Sequence, residues 1–212
     1  MMRASRVRTL TRMVHNYVGL YFLLFIWLFS VSGLVLNHPP WAAAQFWRVR
    51  NEQTGVRSIR TPVVTGDVAL AADLMAQLGL VGEINETKRS ASNAQFEFQV
   101  VKPGRVVRVQ ARLDSSRASV TMIRLNGWGV VDALHKFTGV KMDDPTRTRD
   151  WILTRVWSLS MDALAVGLAC LVLSGLYLWY RRPGSRRAGL SVLGAGVACC
   201  AFFLYGLGAL LG

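Results

Sequence analysis

Three stretches of this 212-residue chain carry almost no charge, and each is long enough to cross a bilayer. Tyr17 to Leu36 holds 20 residues without a charge, and Val156 to Tyr180 holds 25 with one, Asp162. Ala188 to Leu211 holds 24 with none. About 20 apolar residues rising 1.5 Å each cover the hydrocarbon core, so each run is predicted to be a transmembrane helix. A backbone in lipid must satisfy its own hydrogen bonds, which leaves helices as the form for single apolar runs of this length. The mean hydropathy of +0.31 fits that division, being too polar for a chain lying wholly in lipid.

The formal charge of +13 raises a nucleic-acid partner, but its placement argues against one. Arg3, Arg6, Arg8 and Arg12 precede the first run, and Arg181, Arg182, Arg186 and Arg187 fill the turn between the second and third. Basic residues in short segments beside spans set orientation, so both segments are expected in the cytoplasm. Residues 38–150 then lie outside, with 16 Lys/Arg against 11 Asp/Glu and no basic stripe or interleaved aromatics for nucleic acid. The expected partner is the bilayer. Cys170, Cys199 and Cys200 all fall inside the second and third runs, so no disulfide framework supports the external segment.

The expected organisation is a basic cytoplasmic lead over 1–16, a first span over 17–37, an external domain over 38–150, a second span over 151–180, a cytoplasmic loop over 181–187 and a third span over 188–212. The basic lead, apolar run and Ala42-Ala43-Ala44 also resemble a secretory signal with a cleavage site. The apolar run exceeds the roughly 7–15 residues of a signal core, which favours an uncleaved anchor.

In the external segment, Val68, Ala71, Ala72, Met75 and Leu78 recur at helical spacing over 66–80, with Asp67 suited to its start and Gly79 to its end. Alternating runs at 95–101, 105–113 and 119–125, joined by Lys-Pro-Gly and Asp-Ser-Ser-Arg, predict an antiparallel meander. A helix on one face of such a sheet is a small α+β domain. Residues 127–139 read as a short amphipathic helix that returns the chain to the membrane. The fold class expected is thus three transmembrane helices with an inserted α+β domain.

This order of parts is distinctive: a basic lead, "SGLVLNH" closing the first span, a helix–meander domain, "LHKFTG", and "SGLYLWYRR" closing the second span. It resembles the PepSY-associated transmembrane helix family over nearly the whole chain, with 60–125 similar to the PepSY domain itself. The resemblance implies an inner-membrane protein, multi-pass, with its main domain periplasmic. Some longer relatives bind haem b and pass electrons to periplasmic ferric siderophores, so it implies haem, iron, a periplasmic electron acceptor and an oxidoreductase role. Other PepSY proteins are periplasmic modules proposed to modulate peptidases, which implies instead a cofactor-free accessory subunit.

The chain has three histidines, and two imidazoles on one iron are a standard way to hold haem b. His38 follows the first span and His135 precedes the second, in the "LNH" and "LHxxxG" motifs of the resemblance. The orientation argument puts both outside, where they either share one haem iron or are polar interfacial residues. His15 lies 23 residues before His38, about 35 Å of helix, so those two cannot share an iron. An inner haem on His15 requires another subunit, a second copy, or Met13 as the other ligand. Gly19, Phe22, Ile26, Ser30, Gly33 and Asn37 fall on the His15 stripe, which is the expected interior face. Asp162 is expected to pair with Arg155 or to hydrogen-bond a ligand imidazole, with Arg155 or Arg149 then pairing a haem propionate. No CxxCH, GxGxxG, Walker, HExxH or serine-nucleophile motif is present, so catalysis by side chains alone has no support.

Overall fold

A computed structural model describes residues 2–90, 94–137, 139–140, 144–182 and 186–206. The part of the third span beyond Gly206, Gly208 included, lies outside them, as do Thr138 of the "LHKFTG" motif and the side chain of Arg3. Three helices are long and apolar enough to cross a membrane. They are α1 (Met2–Leu36), α4 (Ile152–Tyr180) and α5 (Arg186–Ala201), the last running into a π-helical turn at Phe202–Gly206. The first helix starts well before its apolar run, because the arginine-rich lead contains no Pro or Gly to stop it.

Between α1 and α4 the chain forms β1 (Asn51–Ser58), α2 (Asp67–Leu78), β2 (Glu83–Arg89), β3 (Gln95–Lys102), β4 (Arg105–Arg112), β5 (Arg117–Arg124) and α3 (Gly127–His135). The strands make one antiparallel sheet in the order β1-β5-β4-β3-β2. Contacts divide the chain into two compact units: Met1–Leu23 with Leu164–Gly212, and Leu24–Ala163.

Alternation decides the sheet's faces. On one face of β3 and β4, Phe96 stands opposite Ala111, Phe98 opposite Val109, and Val100 opposite Val107, all of them buried. Leu70, Ala71 and Leu74 of α2 cover that face and complete the core. The other face is polar, with Glu97 accepting a hydrogen bond from Gln110 across the strands. Asp67, in the first turn of α2, pairs with Arg89 at 2.7 Å. Gly79 closes the helix in a left-handed C-cap that puts its N–H on the last carbonyls.

The predicted α2, β3, β4, β5 and α3 are all present, and the two edge strands were not visible in the pattern. All eight residues of β1 are exposed, so no apolar alternation marks it; it is held by its ladder to β5. The β2 strand is broken by a bulge at Asn85 to Lys88, with Glu86 in a left-handed conformation. Its outer edge is covered by the segment before α4. Ile84 and Thr148 exchange backbone hydrogen bonds at 3.1 and 2.9 Å, and Thr87 donates to Thr146.

Glu83, 6% exposed, sits at that covered edge. Arg149 lies 3.5 Å from its Oε2, while Oε1 is buried with no hydrogen-bond partner among the described residues. Desolvation outweighs the attraction of Arg149 and raises the Glu83 pKa above the usual glutamate value.

Two outcomes follow from this packing. Leu74→Ala, at a site with no exposure, should cost about 2–5 kcal/mol, read by denaturant unfolding of the full chain in detergent. Because folded Glu83 holds its proton more tightly than unfolded, its contribution is present at low pH and lost as pH rises through the raised value. The melting temperature should therefore fall, relative to Glu83→Gln, as pH rises past the usual glutamate value of about 4.3; parallel profiles would refute the assignment.

Candidate functional site

All three histidines have the same ring nitrogen engaged by the protein. His135 ends α3, where Asn126 caps the helix by accepting from the N–H groups of Trp128 and Gly129. Its Nδ1 lies 2.7 Å from Ser32 Oγ on α1. Ser32, only 2% exposed, can donate its own hydroxyl proton to the carbonyl of Phe29. With that proton on the carbonyl, the serine oxygen accepts from Nδ1–H of His135; with it on the imidazole, Nδ1 accepts. Gly33 lies against the ring, the position of a Cβ there being 3.4 Å from His135 Cε1. Phe29 packs against the imidazole with centroids 5.4 Å apart.

The other unit repeats this arrangement with different elements. His15 Nδ1 on α1 lies 2.9 Å from Ser174 Oγ on α4. Ser174 is also within hydrogen-bond reach of the carbonyls of Cys170 and Leu171, so the same two tautomers are open to His15. Gly175 touches the ring, the position of a Cβ there lying at an ordinary van der Waals distance of 3.5 Å from His15 Cε1. Around it, Gly19 packs on Leu171, and the ring of Phe22 occupies the space where a Gly167 side chain would be. Of the small residues on the His15 stripe, Gly19 faces α4 and Gly33 faces His135 of α3, while Ser30 is exposed.

His38 follows the end of α1 and is exposed. Its Nδ1 donates to the carbonyl of Leu34 at 2.7 Å, and its ring stacks on Trp41 at 4.4 Å. A carbonyl can only accept, so this ring is protonated on Nδ1. Each histidine is thus held through Nδ1, and no hydrogen bond to Nε2 occurs among the described residues. Neutral imidazole with Nδ1–H held by an acceptor and Nε2 unoccupied is the state an iron ligand needs. By donor chemistry, the histidines fit haem.

The supporting residues sit differently from expectation. Arg149 is at Glu83, and Arg155 is exposed without an ion pair to Asp162. Asp162 is itself exposed, ten residues or about 15 Å into α4, and no imidazole bonds to it among the described residues. Seven residues of helix keep Arg155 and Asp162 about 10 Å apart along the axis, and the groups that meet His15 and His135 are serines instead. Trp157, beside Phe25, buries its indole N–H with no hydrogen-bond partner among the described residues. No cluster of three or more His, Cys, Asp or Glu suited to a bare metal ion is found among them.

Ser32 and Ser174 escaped a reading based on histidine positions alone. Their signal was in the repeated "SGLVL" and "SGLYL", which place a hydroxyl and a gap side by side on the inner face of two different spans.

No curated protein and no solved structure matches the chain. The family model for PepSY_TM-like proteins matches residues 8–206, which takes in all three spans and the inserted domain. With its Ser-Gly span motifs and inserted helix-and-sheet domain, this multi-pass membrane protein belongs to the PepSY_TM-like family.

Proposed function

We propose that the protein is a haem b electron-transfer subunit of the bacterial inner membrane, with its sheet domain periplasmic, serving a periplasmic acceptor in the manner of a ferric-siderophore reductase. The observation that carries this reading is that His15, His38 and His135 are each held by the protein through Nδ1, with no hydrogen bond to Nε2 among the described residues. Bound haem would supply one-electron redox chemistry. The chain's own part is to hold and orient the imidazoles. Ser32 and Phe29 orient His135, and the Leu34 carbonyl and Trp41 orient His38. These two are the candidate outer ligands. Ser174 orients His15, the candidate inner ligand, whose companion ligand would come from another subunit, a second copy or Met13. Trp157 offers a buried N–H to a polar group of whatever binds beside it.

A second reading, a cofactor-free accessory subunit, has its own support. The described part of α5 buries no residue, and Asp162 is exposed within a span. A carboxyl in hydrocarbon is costly and normally finds a partner, which favours another membrane subunit or a homo-oligomer against α4. In this reading, the Ser–His bonds fasten helices and nothing more.

A visible spectrum of the full chain expressed with haem available separates the two. The first reading expects a Soret band, lost or shifted to a one-ligand spectrum in His135→Ala. Ser32→Ala should keep the band but weaken haem retention about 10–100-fold, the usual effect of removing an outer-shell partner. A chain with no Soret band, folded and intact, rejects haem and leaves the accessory reading.

A further inference from the structure

We infer that the α4–α5 hairpin holds one anionic phospholipid, its tail in a groove between the helices and its phosphate among the arginines of the turn. The groove has a volume of about 550 Å³ and is lined by Gly175, Leu176, Trp179, Gly189, Val192 and Leu193, among others. That size falls in the range of about 300–1,000 Å³ common to small-ligand sites. Its walls are almost wholly hydrocarbon, which suits an acyl chain. Gly189 is what lets the groove form beside Trp179, whose indole Nε1 occupies the space of a side chain at that position.

Charge identifies the headgroup. The unit built from residues 1–23 and 164–212 contains eight arginines and no Asp or Glu, so it has no counter-charge of its own. Four of those arginines, Arg181, Arg182, Arg186 and Arg187, bracket the groove in sequence, beginning two residues after Trp179 and ending two before Gly189. All four are exposed, and none forms an ion pair among the described residues. Arg186 is pinned over the Tyr180 ring at 5.1 Å, which keeps a guanidinium at the hairpin's end. Guanidinium groups bind phosphate through paired, charge-assisted hydrogen bonds, and zwitterionic lipid offers them no net charge to neutralise. The Trp179 ring, packed on Gly189, lines the groove at the interface, where such rings commonly sit.

The full chain, placed in nanodiscs of equimolar phosphatidylglycerol and phosphatidylcholine and released for native mass spectrometry, tests this. Wild type should keep one phosphatidylglycerol per chain in preference to phosphatidylcholine. Replacing the four arginines by Gln should reduce that retention by roughly ten-fold or more, the loss expected for charged hydrogen bonds. Val192→Trp, filling the groove from a side chain that is 74% exposed, should do the same with the arginines intact; Leu193→Trp serves if that variant fails to insert. Equal retention of both lipids overturns the proposal. Undiminished phosphatidylglycerol on the tryptophan variant also overturns it, by showing surface charge without a groove site. So does a lipid-free dimer that Val192→Trp dissociates, which would assign the groove to a second copy.

Discussion

The absence of water in the hydrocarbon core constrains everything else in this protein. It demands that each backbone amide find its partner within its own helix, and it makes every polar side chain on the three spans expensive. The few that are present therefore have to be answered by other groups. Ser32 and Ser174 are answered twice, once by a carbonyl of their own helix and once by an imidazole from another element. Asp162 is answered by nothing among the described hydrogen bonds and ion pairs. Ser160 and Ser191 bond only to carbonyls of their own helices, so the contact with a histidine sets Ser32 and Ser174 apart.

The two serine–histidine arrangements solve one problem with the same parts. A serine adjacent to a glycine puts an oxygen and a small residue against an aromatic ring in two consecutive positions, so the histidine meets the helix at van der Waals distance. Each serine hydroxyl engages Nδ1 of the histidine, which is thereby oriented without any carboxylate. That matters in a membrane, where a neutral hydroxyl costs far less to bury than an ionised acid. His38 is held at the same nitrogen by a backbone carbonyl, using no second side chain. The accompanying domain follows ordinary soluble rules: one apolar sheet face, one helix across it, and the edge strand β2 covered by the Thr146–Thr148 segment.

Much of this was legible from residue order. The three spans follow from run length, and the central strands from their alternation, because lipid and a one-sided core both impose strong periodic selection on side chains. Edge strands β1 and β2 were not legible. A strand exposed on both faces, as β1 is, has no apolar period, and the bulge in β2 shifts its period midway. Their existence depends on backbone ladders to strands already in place. The role of Glu83 was equally hidden, since burial beside Arg149 depends on residues 66 positions apart in the chain meeting at one edge.

The candidate site divides along the same line. The sequence by itself determined that His15 and His38 lie too far apart on one helix to form one site, because the rise per residue of a helix is invariant. It also determined which residue types were available: three imidazoles, two Ser-Gly pairs and one intramembrane acid. Only the tertiary structure decided that serines, and not Asp162 or the arginines, hold His15 and His135. Partners 103 and 159 residues apart are chosen by which helix faces meet, and packing of side chains such as Phe22 against Gly167 sets that, not the local pattern of either segment.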